Sequence, residues 1–123
     1  MKTFLDTHAA VILWSGEEIG KAAEDLFERS ALFLSPVVRL ELSFLREIGR
    51  FDPSPEEILG NLMADFGIRF SNDPMEDIVA EAMPLSWTRD PFDRLLVATA
   101  ALHRAPFVTR DQTILENFAL AVW

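Results

Sequence analysis

Residues 31–48 read ALFLSPVVRLELSFLREI, and this stretch holds the pattern that repeats along the chain. Ala31 to Leu34 is a short apolar run. Ser35-Pro36 closes it with a capping residue followed by proline, the usual opening of a helix, which then runs to about Ile48. Working outward, Lys2 to Leu5 is another short strand-like run. Glu17 to Arg29 carries Ile19, Ala22, Ala23, Leu26 and Phe27 at helical spacing, with acids early and Arg29 late to suit the helix dipole. Downstream, Phe51 to Pro55 is turn chemistry, Glu56 to about Phe66 is helical and Ile68 to Phe70 is strand-like. Asp73-Pro74 opens a helix ended by Pro84, and Asp90-Pro91 opens the apolar helix PFDRLLVATAAL. Pro106 to Thr109 is a short strand, a helical turn follows at Gln112 to Glu116, and Ala119 to Trp123 is strand-like. This alternation predicts an α/β fold with a short, mostly parallel central sheet and helices on both faces, formed by one domain over residues 1–123.

Composition bounds what such a domain can do. Half of the 123 residues are hydrophobic, which suits a chain with a sizeable core. There is no cysteine, so disulfides, thiolate metal sites and cysteine nucleophiles are excluded. No apolar run approaches the roughly 20 residues that span a bilayer, and the N-terminal stretch lacks the layout of a signal peptide. A cytoplasmic protein with no membrane association is expected. Twenty acids against eleven bases give a formal net charge of −9, which disfavours holding nucleic acid by a basic surface alone. A bound divalent cation would supply positive charge locally.

In parallel α/β sheets, ligands bind beyond the carboxyl ends of the strands. Asp6 directly follows the first strand, and Asp111 follows Phe107-Val108-Thr109-Arg110; either also serves as an N-cap for the helix after it. Glu41 falls on one stripe with Val37, Phe44, Leu45 and Ile48, a carboxylate in a core position. A buried carboxylate needs a cation, supplied either by an arginine or by a metal. Asp90 is placed as the N-cap before Pro91, with a part in orienting Arg94 or Thr88, while Asp93, one turn in, shares a face with Leu96, Val97 and Ala100. His8 is expected to pack or meet solvent, and His103 to sit favourably at a helix C-terminus. Four carboxylates without soft ligands suit Mg²⁺ or Mn²⁺, the usual equipment for phosphodiester hydrolysis.

With these residues in order, the chain resembles the PIN-domain ribonucleases, and most closely the VapC-type toxins of bacterial toxin–antitoxin pairs. The motifs that carry the likeness are LDTHAAVILW (Asp6), SPVVRLEL (Glu41), TRDPFDRLLVATA (Asp93) and FVTRDQTI (Asp111). The resemblance implies a three-layer α/β/α PIN-like fold, a Mg²⁺- or Mn²⁺-binding acidic pocket, endonucleolytic cleavage of RNA, a cognate antitoxin and a homodimer. It assigns Asp6, Glu41 and Asp93 as principal metal ligands, Asp111 as the fourth acid, and Thr7 and Thr109 as hydroxyl residues near the pocket. The basic residues available to flank an RNA groove are Arg39, Arg69, Arg89, Arg94 and Arg110. A non-catalytic PIN-like module, whose pocket engages a metal or a partner's arginine, is the alternative. A phosphotransferase using Asp6 as nucleophile is disfavoured, because position 8 is histidine and the only lysines are Lys2 and Lys21.

Overall fold

A computed structural model describes all residues from Met1 to Trp123. Five strands, β1 (Lys2–Leu5), β2 (Ala31–Leu34), β3 (Arg69–Phe70), β4 (Phe107–Val108) and β5 (Ala121–Val122), form one sheet in the order β3-β2-β1-β4-β5. Every pairing is parallel. Seven helices connect them: α1 (Thr7–Ser15), α2 (Lys21–Arg29), α3 (Val37–Glu47), α4 (Pro55–Phe66), α5 (Met75–Ala82), α6 (Pro91–Leu102) and α7 (Gln112–Asn117). Successive side chains of a strand point to opposite faces, yet Thr3, Phe4 and Leu5 of β1 are all buried, as are Leu32, Phe33 and Leu34 of β2 and both residues of β4. Both faces of the central strands are therefore covered, which is the predicted α/β/α layering.

Local chemistry explains where the helices start and stop. Ser54 accepts from the Glu57 amide (3.2 Å) and Pro55 takes the first position of α4. Gly16 ends α1 at φ 79°, a left-handed conformation that any other residue would adopt at a cost. The helix read over Glu17 to Arg29 begins only at Lys21. Gly20, extended at the start of α2, lies so close to Trp123 that a Cβ there would sit 2.2 Å from the Trp123 carbonyl carbon. The segment between the two glycines is not helical.

The buried face of α3 differs from the predicted stripe. Val37, Val38, Glu41, Leu42 and Leu45 are buried, whereas Phe44 and Ile48 are 43% and 53% exposed. Phe44 instead meets Phe92 of α6 across 5.8 Å at the surface. Val38 and Leu42 share the core with Ile58 and Leu62 of α4 and Leu96 and Val97 of α6, which decides the buried face. No helix is long and apolar enough to cross a membrane.

Candidate active site

Sheet register brings the first two acids together. Leu5 of β1 is level with Val108 of β4, so the next residues, Asp6 and Thr109, emerge side by side at the carboxyl edge. The Asp6 amide donates to the Val108 carbonyl (3.0 Å), and Thr109 Oγ1 donates to Asp6 Oδ2 (2.5 Å). Asp6 Oδ1 accepts from the Ala9 amide (2.7 Å), which makes it the N-cap of α1. The same Thr109 hydroxyl accepts from the Asp111 amide (3.0 Å), and Asp111 Oδ1 in turn caps α7 through the Ile114 amide (3.0 Å). Capping and clustering are thus compatible for both aspartates, because a carboxylate has two oxygens.

Glu41 reaches the same region from the middle of α3. It is 7% exposed, and Thr7, the first residue of α1, donates its hydroxyl to Glu41 Oε1 (2.5 Å). Asp90 Oδ1 caps α6 by accepting from the Phe92 (2.9 Å) and Asp93 (3.3 Å) amides, and the Asp90 amide donates to Thr88 Oγ1 (3.3 Å). Arg94, expected beside Asp90, turns instead to the end of α5 and donates to the carbonyls of Ala82 and Met83 (2.9 Å to the latter). The carbonyls at this helix end lack partners within the helix; that of Ala82 also accepts from the Leu85 amide (3.1 Å), and the guanidinium adds to it and satisfies that of Met83.

Asp6, Glu41, Asp93 and Asp111 line one cavity of about 280 Å³, joined by Asp90, His8 and Arg110. All four sequence-predicted acids therefore meet, and Asp90 adds a fifth carboxylate beyond its capping role. His8 is exposed, as expected, but stands on the cavity wall. A wider groove of about 560 Å³ between α3 and α4 holds Arg39, which pairs with Glu56 (3.2 Å), and gathers no such cluster. Arg69 lies over the Phe33 ring (5.2 Å) and Arg89 is exposed and outside every ion pair. His103 does more than sit at a helix end: its Nε2 lies 2.8 Å from Asp73 Oδ1, a pairing the sequence did not suggest.

The electrostatics follow from crowding acids in a half-enclosed space. Burial pushes the Asp6 carboxyl up, against the lowering effect of its bonds from Thr109 and Ala9. Burial likewise raises Glu41, with Thr7 opposing. Asp93 has no donor at all; burial first, and then repulsion from Asp90, Glu41, Asp111 and Asp6, raise it from 3.8 to about 7. The cavity is short of positive charge. An oxygen-only donor set of this kind fits a hard divalent cation, which relieves both the burial cost and the repulsion. As the side chains stand, no three of them are gathered around a single point. Asp93, with no hydrogen bond to break, is the one able to reorient at least cost.

Residues 3–119 match the family model of the PIN domain. The chain belongs to the PIN domain family. Members of this family are typically metal-dependent nucleases, which accords with the acidic cavity. No curated protein matches the chain in sequence. Among solved structures, this PIN domain is similar to a chain of VapBC2 from Rickettsia felis bound to a DNA fragment from its promoter, at 16% identity and TM-score 0.69, covering 99% of this chain and 96% of that one. It is also similar to a chain of a toxin–antitoxin complex from Klebsiella pneumoniae, at 20% identity and TM-score 0.67, covering 98% and 96%. A third is DNA-bound VapBC from Salmonella typhimurium, at 16% identity and TM-score 0.61, covering 98% and 95%. At these identities the likeness bears on the fold.

Proposed function

We propose that residues 1–123 act as one PIN unit that cleaves RNA internally with Mg²⁺ or Mn²⁺, as the toxin of a toxin–antitoxin pair in the cytoplasm. The observation that carries this reading is the convergence of Asp6, Glu41, Asp93 and Asp111, from four different elements, on one cavity whose burial and mutual repulsion raise three of them. Asp6, Glu41 and Asp93 would hold the ion, with Asp111 as an outer ligand or a ligand to a second ion. When bound, the ion would neutralise phosphate charge and activate water for attack on phosphorus. Thr7 and Thr109 fix the Glu41 and Asp6 carboxylates by donating to one oxygen of each, and so set the cavity before substrate arrives.

The antitoxin reading is supported by the complexes in which the similar chains occur. A surface for it, or for a second copy of the chain in a homodimer, is available on α3 and α5. There Leu40, Phe44 and Ile48, and Met75, Val79 and Met83, form two exposed apolar stripes at helical spacing. A non-catalytic module that engages a metal or a partner's arginine in the same cavity is the second reading, favoured by the lack of three pre-gathered carboxylates.

The deciding experiment is cleavage of RNA with and without Mn²⁺ by the protein and by Asp6→Asn, Glu41→Gln and Asp93→Asn. Divalent-dependent cleavage that disappears in all three folded variants supports the nuclease. Mn²⁺ binding without any cleavage supports the module. In cells, expression without the partner should arrest growth, and Asp6→Asn should relieve the arrest.

A further inference from the structure

We propose that Arg110 is the group by which the cavity grips a phosphate of the RNA backbone, and that Trp123 is the positioning residue that keeps Arg110 free to do so; this rests on the nuclease reading above. Arg110 is the sole arginine or lysine on a cavity wall otherwise dominated by carboxylates. Asp111 is its chain neighbour, yet its guanidinium enters none of the ion pairs of the structure. It lies over the Trp123 ring instead, with Cζ 5.7 Å from the ring centroid. A contact with the ring face consumes no hydrogen bond, and the Arg110 N–H donors enter none in the structure, so they are uncommitted and able to take two phosphate oxygens at once. Arg39 is engaged by Glu56 and Arg94 by the Ala82 and Met83 carbonyls, and Arg89, though unpaired, does not line the cavity.

The placement of Trp123 is built into the fold. Val122 is level with Val108, and the Thr109 amide donates to the Val122 carbonyl (3.0 Å), so Trp123 follows β5 alongside the residues that follow β4. On its other side it rests against Gly20, where a Cβ would come within 2.8 Å of the indole Cδ1 as well as meeting the backbone. A glycine seat, an indole platform and an exposed arginine thus lead in sequence to the acidic cavity. In a chain of net charge −9, a cation parked on an aromatic ring offers substrate attraction that no neighbouring aspartate cancels by direct pairing.

The test measures binding of a fluorescent single-stranded RNA oligonucleotide by anisotropy over a NaCl series, in a Glu41→Gln background so that the RNA stays intact. Cleavage with Mn²⁺ is measured in parallel with Glu41 present. Arg110→Ala should weaken binding on the order of tenfold and lower the salt slope by about one. Trp123→Leu should weaken binding while keeping the slope, raise KM more than it lowers kcat, and add nothing in an Arg110→Ala background. Trp123→Phe should restore most of the affinity. If Trp123→Leu does not fold, the Phe variant and the exposed Arg110 still decide the matter. Arg110→Ala binding RNA with wild-type affinity and slope overturns the proposal, as does an equal loss from Trp123→Leu with and without Arg110. Wild-type protein that neither binds nor cleaves RNA takes down the nuclease reading and this one with it, whereas wild-type cleavage alongside an indifferent Arg110→Ala removes this one alone.

Discussion

Replacing Asp93 with asparagine should raise the melting temperature of the metal-free protein at alkaline pH and leave it nearly unchanged at pH 4. The folded protein holds the Asp93 proton to about pH 7, while the unfolded chain releases it near 3.8. Between those values the folded state binds more protons than the unfolded one, so stability falls as pH rises and is fully depressed above about 7. Taken in full the gap corresponds to roughly 4 kcal/mol at saturation, and because Asp93 is only half-buried, solvent screening reduces it to on the order of 2 kcal/mol. Asparagine cannot ionise, so the variant escapes this slope. For a domain of this size, a gain of that order raises the melting temperature by on the order of 10 °C. Thermal unfolding in EDTA at pH 4 and pH 8.5, at matched ionic strength, measures it. A difference between variant and wild type that is the same at both pH values, or a variant less stable at pH 8.5, would refute the claim that burial and carboxylate repulsion raise Asp93.

Further outcomes follow from the same cluster. Millimolar Mn²⁺ should raise the melting temperature of the wild type at pH 8 by mass action, and by clearly less in Asp93→Asn; an identical shift in both would show that Asp93 is no ligand. Asp90→Asn should cost little because asparagine also caps, whereas Asp90→Ala should cost about 1 kcal/mol, read by denaturant unfolding. Thr109→Val removes the donor to Asp6 and the acceptor for the Asp111 amide together. It should weaken Mn²⁺ binding in a calorimetric titration, and unchanged affinity would make Thr109 merely structural. Gly20→Ala, which collides with Trp123, should destabilise the fold by several degrees in a thermal melt, and an unaffected melt would show that the contact yields freely.

Much of the architecture was legible because prolines and capping residues mark helix starts: Asp90-Pro91 stands where α6 begins, while Pro55, read as part of a turn, is the first residue of α4. The extent of α1 was harder to see, since THAAVILWS is apolar almost all round and carries little periodicity. The phase of α3 misled for a related reason. Val38 and Leu42 are as apolar as Phe44 and Ile48, and only the packed neighbours decide which pair is covered. The acids were visible individually because three follow strands or open helices and one breaks an apolar stripe. Their convergence depends on sheet register, and the pairing of His103 with Asp73, thirty residues apart, left no local mark in the sequence. The same holds for Arg110 and Trp123, which meet only because β5 lies beside β4.

The bond from Thr109 to Asp6 spans 103 positions of the chain, and β1, the first strand made, waits at the sheet centre for β4. During synthesis, Asp6 leaves the ribosome long before Asp93, and the hydroxyl that orients it follows Asp93, with Asp111 just behind. On the nuclease reading proposed above, the domain would stay harmless to the message and the ribosome that are producing it until nearly all of it has emerged. Its own translation would then act as a timer, one that a circular permutant starting near α6 would reset.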